Sequence, residues 1–293
     1  MRKYELSVGY NRSGQVFFDT VYGRPKVTSW FFSLTHEYGK DLDSQKMAEH
    51  FRSLETYGLP ANLLLNVGED SPEYRSLIEL AETTGINLTA VTVLGMDTAK
   101  AVRSEYPEYA VHFSVNGADN ETDVSKMKGI VDVYNVSGRN SFNSIKLMQE
   151  CHENGIAVKY IANEGCVVNC DKNFGAFVPL KRCNRNCRKA VQAYPWLDLA
   201  TVNIYKEFLD RYPVDIVKLA TRCLPMKSIT DLLDYWCSDD PQTRYWAGSV
   251  LDEKTRPVFE KWMNARMSCD GYCASCKKCK KFYEELAELR GTR

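Results

Sequence analysis

The sequence predicts an α/β fold of the TIM-like (β/α)8 barrel type, with a cysteine-rich insertion and a C-terminal cysteine-rich extension. Three observations point there. About eight short apolar runs alternate with amphipathic stretches of helical period, the pattern that builds a parallel sheet with helices outside it. The runs are nearly continuous in apolar residues, as expected of strands covered on both faces. No glycine-rich phosphate loop follows the first run, which weakens an open dinucleotide-binding sheet, and eight repeats favour closure into a barrel.

Taken in order, ELSVGY (5–10) and VTSWFFSL (27–34) read as the first two strands. SQKMAEHFRSLETYG (44–58) has helical spacing, with Gly58 placed as a C-cap. NLLLNVG (62–68) is a strand, and SPEYRSLIELAETTG (71–85) a helix with Ser71 as N-cap, Pro72 in its first turn and Gly85 past its end. The strand NLTAVTVLG (87–95), the helix MDTAKAVRSEY (96–106) and the strands YAVHFSVNG (109–117) and IVDVYNVSG (130–138) follow. SFNSIKLMQECHENG (141–155) is a helix, IAVKYIANEG (156–165) a strand, NIYKEFLDRYP (203–213) a helix, VDIVKLATR (214–222) a strand and SITDLLDYW (228–236) a helix. Two segments break the rhythm. Residues 166–200 hold four cysteines where a helix is due, and residues 240–293 trail the last repeat and end in a charged helix, KKFYEELAELR. The expected organisation is a barrel over 1–240, carrying the insertion 166–200, and an extension over 241–293.

The 293 residues, 44% hydrophobic and 26% charged, suffice for a full core. A net charge of zero gives no global basic field for nucleic acid, although a local patch stays open. No apolar run reaches the ~18 residues of a membrane span. The start, MRKYELSVGY, lacks the apolar stretch of an export signal, so the expected compartment is the reducing cytoplasm.

Eleven cysteines in such a compartment read first as metal ligands. Cys151 and Cys237 stand alone on helix-like segments and read as small buried hydrophobes. Cys166, Cys170, Cys183 and Cys187 form two C-x3-C knuckles separated by twelve residues. Four thiolates so arranged can close around one metal or cluster. They directly follow a strand, which places them at the C-terminal mouth where barrel active sites lie. Zinc is the competing occupant, though its usual knuckles are C-x2-C or C-x4-C. Lys181, Arg182, Arg185, Arg188 and Lys189 surround the second knuckle and would offset its negative charge. Cys269, Cys273, Cys276 and Cys279 crowd into eleven residues of the tail. That compactness matches a ferredoxin-type run better than a zinc ribbon, and the expectation is a second cluster.

Several strands end in polar residues that a parallel barrel gathers on one face. Asn11, Asn66, His112, Ser114, Asn116, Asn135, Arg139, Asn163, Glu164, Lys218 and Arg222 are the candidates. Asn116, Asn135, Asn163 and Lys218 would bind a small polar, carboxylated ligand, with Arg139 and Arg222 as its anchors. For any one asparagine a turn or cap is the competing role. His112 is the histidine inside a strand and is the candidate general acid or base, with a satisfied core histidine as the alternative. No H-E-x-x-H, G-x-S-x-G or Walker loop occurs.

The stretch HFSVNG…VDVYNVSGRNSFNSIKLMQECHENGIAVKYIANEGCVVNC, the spacing Cys170–Cys183–Cys187 and VDIVKLATRCLP beyond it resemble the U32 peptidase-like family over roughly residues 60–235. The resemblance implies a β/α barrel with a [4Fe–4S] cluster on Cys170, Cys183 and Cys187, with Cys166 the natural fourth ligand. It also implies oxygen-independent hydroxylation of a small molecule or RNA, with prephenate implicated as oxygen donor among better-understood members. The compact tail run departs from those hydroxylation factors and is similar to small relatives tied to peptide modification. The resulting expectation is an iron–sulfur enzyme with two [4Fe–4S] clusters, acting on a small acidic molecule or a macromolecule. An electron-transfer protein serving a partner enzyme, and a peptidase, are the alternatives.

Overall fold

The computed structural model of the chain describes residues 4–37, 40–65, 73–114, 123–137, 141–162, 213–222, 224–239, 253–267 and 278–289. Eight strands, β1 (Glu5–Gly9), β2 (Val27–Phe32), β3 (Ala61–Leu64), β4 (Leu88–Val93), β5 (Ala110–Phe113), β6 (Val133–Ser137), β7 (Ala157–Ile161) and β8 (Ile216–Leu219), close into one barrel. Every barrel pair is parallel, and β8 returns to pair with β1. The predicted (β/α)8 barrel is the observed fold.

The helices fill the connections. They are α1 (Gln15–Val21), α2 (Ser44–Arg52), α3 (Glu73–Glu82), α4 (Met96–Glu105), α5 (Ser141–Glu153) and α6 (Met226–Cys237). A 3-10 turn at Val124–Met127 stands between β5 and β6. Two helices of the tail, α7 (Arg256–Met267) and α8 (Lys278–Leu289), follow. Val258, Trp262 and Leu286 of this tail are buried in the same apolar core as the barrel helices. α1 carries no periodic signal because it has only seven residues and a Gly14 N-cap without a side-chain bond. α2 starts where Asp43 accepts the Lys46 N–H, but it ends at Arg52 rather than running to Gly58. Gly58 instead sits at φ +65° in the turn before β3, a conformation glycine adopts freely. Ser71 and Pro72, and the helix expected over 203–213, lie outside the described residues.

The strands correct one expectation. They are not apolar on both faces. Alternate residues such as Leu6, Val8, Trp30, Phe32, Val91, Val111, Val158 and Val217 join the helices in one core. The intervening positions Ser7, Asn62, Thr92, His112, Asn135 and Lys159 are buried polar side chains on the other face. A strand's period of two separates these sets, so the barrel is apolar outside, while its interior mixes these polar side chains with apolar ones such as Phe31, Leu64, Val133 and Ile161.

The seam between β8 and β1 has its own lock. Asn11, after β1, donates its amide to the carbonyls of Thr221, Arg222 and Leu224 at 2.9, 3.1 and 3.0 Å. Its Oδ1 accepts from the Ser13 N–H and hydroxyl. Thr221 also donates its hydroxyl to the Gly9 carbonyl. Asn11 is therefore a closure residue, and it fixes the loop that carries Arg222. Asn11→Ala would leave buried carbonyls without their donor and should cost about 2 kcal/mol in urea unfolding; a variant as stable as the parent would contradict this role.

Candidate active site

The four odd-numbered strands each send one side chain to the same level of the barrel interior: Ser7 from β1, Asn62 from β3, His112 from β5 and Lys159 from β7. Parallel barrels fill their interiors with such four-residue layers, usually of branched apolar residues. Here the layer is wholly polar and joined by hydrogen bonds. Lys159 Nζ donates to Ser7 Oγ at 3.2 Å and lies 3.4 Å from His112 Nδ1. Asn62 Nδ2 stands 2.6 Å from the same His112 nitrogen. Thr92 Oγ1 donates to Asn62 Oδ1 at 2.9 Å.

That chain of bonds assigns the protons. The Thr92 hydroxyl takes the Asn62 oxygen, so the Asn62 amide turns its N–H toward His112. His112 Nδ1 is then an acceptor, and its ring proton resides on Nε2. Burial holds His112 well below the usual histidine range, with the Lys159 and Lys218 charges acting in the same direction. The imidazole is neutral, and no carboxylate is among its bonds.

Lys159 is 2% exposed and has two partners, neither of them an acid. A buried ammonium without a carboxylate is costly, and such groups give up the proton instead. Burial accordingly lowers Lys159 to about 7, with Glu5 a weaker opposing influence. A neutral amine has two N–H groups: Ser7 Oγ takes one, and His112 Nδ1, already bonded by Asn62, is a shared acceptor for the other. The nitrogen lone pair is left over.

The adjoining interior positions are Phe31, Thr92, Asn135 and Lys218, register partners of Asn62, His112, Lys159 and Ser7 respectively. The Lys218 ammonium lies 4.4 Å from the centre of the Phe31 ring, and the Arg222 guanidinium 5.8 Å from it. Gly9 makes room for that ring: a Cβ there would come within 2.7 Å of Phe31 Cζ. Arg222 also lines a cleft of about 240 Å³ with Arg12, Ser33 and His50, beside the ends of β1 and β2. The mouth on this side is cationic and suits an anionic ligand.

Among the residues expected from sequence, the structure places His112, Asn135, Lys218 and Arg222 in or above the barrel interior. Asn66, Arg139, Asn116, Asn163, Glu164, Cys166, Cys170, Cys183, Cys187, Cys269, Cys273 and Cys276 lie outside the described residues. Cys279 falls within α8, but its side chain is not described. Among the described residues no three metal-binding side chains cluster. Cys151 and Cys237 are buried and in no disulfide, matching their reading from sequence as small buried side chains, and burial pushes Cys151 up to about 12. Sequence reasoning missed Lys159, Asn62 and Ser7. Their signal is a polar residue at the centre of an apolar strand, as in AVKYI and ELSVG, rather than at its end.

These features define a parallel eight-stranded barrel with a polar, functionalised interior. The chain is U32 peptidase-like in fold. It superposes on a solved U32 peptidase with a TM-score of 0.50 at 15% identity, covering 77% of this chain and 96% of that one. The N-terminal domain of a provisionally named aldolase from Bacteroides vulgatus gives a TM-score of 0.39 at 10% identity, covering 97% and 96%. No family model and no curated protein matches the chain. At these identities the likeness is one of fold alone. No described helix is long and apolar enough to cross a membrane.

The buried amine has a consequence for stability. The unfolded chain holds the Lys159 proton up to pH ~10.4, whereas the folded chain releases it near 7. The unfolded state therefore binds more protons between these values, and this contribution to stability rises with pH. Cys151, with its raised value, acts oppositely above about pH 8.5, so a difference measurement isolates the lysine. From pH 7 to pH 9 the wild type should gain about 2 kcal/mol relative to Lys159→Met in urea unfolding. A gap independent of pH would show that Lys159 stays charged.

Proposed function

We propose that the chain is an iron–sulfur-dependent enzyme that modifies a small anionic substrate at the C-terminal mouth of the barrel, by hydroxylation without molecular oxygen or a related reaction. One observation carries the reading. β7 ends at Ile161 on the rim that also presents Arg222, and in sequence Cys166 follows the last described residue of that rim, Ala162, by four positions. The support is this proximity in sequence: the first thiol run begins four residues after the described rim of a cationic mouth.

The donor set suits the cofactor. Cys166, Cys170, Cys183 and Cys187 would hold one [4Fe–4S] cluster, and Cys269, Cys273, Cys276 and Cys279 a second, since all-thiolate sets of four favour iron–sulfur or zinc. When bound, such a cluster supplies one-electron transfer or, with an iron left open, a Lewis acid. The chain's own residues do the rest. Arg222, Arg12 and Lys218 attract and orient a carboxylate or phosphate. The apolar outer core keeps the barrel rigid, so those cations hold their positions. His112, with both Asn62 and Lys159 on Nδ1, is fixed in one tautomer and presents Nε2–H as a donor.

The fold neighbour's name is peptidase, but the described interior does not favour that chemistry: His112 has no carboxylate partner, and no hydroxyl nucleophile is bonded to it. The test is anaerobic purification with iron and acid-labile sulfide counting and paramagnetic resonance. About eight irons per chain are expected, with Cys183→Ser and Cys276→Ser each removing one set of signals. Stoichiometric zinc without sulfide would overturn the proposal.

A further inference from the structure

We propose that Lys159 is a nucleophilic amine that forms an imine with a small aldehyde or ketone bearing an anionic group, inside the barrel and independently of the cysteine clusters. Two observations point to a ligand here. The first is the geometry of Nζ: its partners among the described residues are Ser7 Oγ and His112 Nδ1, and no carboxylate among them bonds to it. Ser7 Oγ takes one amine hydrogen and His112 Nδ1, already bonded by Asn62 at 2.6 Å, takes a second only as a shared acceptor, so a neutral amine is accommodated with its lone pair directed elsewhere, whereas an ammonium would have a third hydrogen without a partner. The second is Asn135, which neighbours Lys159 in register on the same interior face. It is 1% exposed and donates Nδ2 to the Phe113 carbonyl at 2.8 Å, yet its Oδ1 has no partner among the described residues. A buried amide oxygen left unpaired costs about 1–3 kcal/mol. Beside a nucleophilic amine it is placed to accept a hydroxyl hydrogen from an adduct.

The step balances without a redox partner. The Lys159 lone pair attacks the carbonyl carbon, the C=O π bond opens and an N–C bond forms. The two amine hydrogens leave with the former carbonyl oxygen as water. One proton taken from solvent then gives the cationic imine. Asn135 Oδ1 accepts from the hydroxyl of the addition intermediate. His112 and Ser7 are positioning residues that aim the amine. Lys218 sits two residues further along β8 than Ile216, the register partner of Lys159. It therefore lies toward the mouth, where the anionic group of an oxo acid entering from that side meets it. Glu5 is the charged group that acts on the amine, opposing the effect of burial, and the Lys159 and Lys218 charges both act on His112. Burial holds the amine near 7, so it is about half neutral at neutral pH, whereas an exposed lysine is neutral in well under one part in a thousand.

This inference does not rest on the iron–sulfur reading, because no thiol takes part and trapping reports the amine whether or not iron is bound. The test uses the full chain purified without oxygen, glyoxylate as the carbonyl probe, cyanoborohydride to reduce the imine, and peptide mapping by mass spectrometry. At pH 7 Lys159 should be modified at least about tenfold faster than the exposed lysines. Its advantage should shrink as pH rises, because exposed amines gain reactivity about tenfold per pH unit while Lys159 levels off. Lys159 left unmodified while surface lysines react, or a Lys159 rate climbing in parallel with theirs, would overturn the proposal. The measurement is made on the unsubstituted protein, so no variant has to fold. Lys159→Arg, if folded, serves as the blank for the mapped peptide.

Discussion

The structure depends on a buried amine held without an acid. Lys159 reaches the centre of the barrel, where it is buried, no carboxylate among the described residues bonds to it, and Glu5 offsets its charge only weakly. Everything around it follows from making that tolerable. Ser7 and His112 accept its hydrogens, Asn62 pins the histidine, and Thr92 pins the asparagine. An apolar layer of branched residues would have been the cheaper filling, since partly satisfied buried polar networks give up stability. The outer face provides it instead: the aromatic cluster of Tyr10, Phe17, Phe18, Trp30, Phe32 and Phe51 packs β1 and β2 against α1 and α2 with ring centroids 4.8 to 6.0 Å apart.

This division of labour explains how the mouth is kept in shape. The seam bonds of Asn11 and Thr221 tie the start of the loop after β8 to the end of β1. Gly9 leaves room for the Phe31 ring beside that seam, and the Lys218 and Arg222 cations gather over the ring. At the opposite end of the barrel, acids take over. Asp132 accepts the Val111 N–H and an Arg103 guanidinium, and Asp215 accepts the Val158 N–H and stands 2.8 Å from His152. Acids brace one end and cations collect at the other, which favours anionic ligands at the functional end.

The barrel was legible in the sequence because its signal is cumulative: eight apolar runs spaced by helical stretches exclude most other architectures even when single boundaries shift by several residues. The α2 terminus failed for a local reason. Gly58 looks like a helix cap, but a turn before β3 needs the same left-handed backbone. The site was read at the strand ends, and His112, Asn135, Lys218 and Arg222 do lie in or above the barrel interior. Asn11 was read with them and proved to be a lock. Lys159 and Asn62 were passed over because a single polar residue inside AVKYI or ANLL hardly dents an apolar run. Only barrel closure reveals that such residues from alternate strands meet. No one-dimensional pattern encodes that convergence, since β3, β5 and β7 are separated by about fifty residues each.

The central claim is that burial in the barrel lowers the pKa of the Lys159 amine so that it loses its proton near neutral pH. Nitrogen-15 resonance of the lysine side chains, followed from pH 5 to pH 11 and assigned through Lys159→Arg, measures it directly. The account predicts one Nζ signal that changes near pH 7, apart from the exposed lysines that change above pH 10. A Lys159 signal that changes together with the others would contradict it.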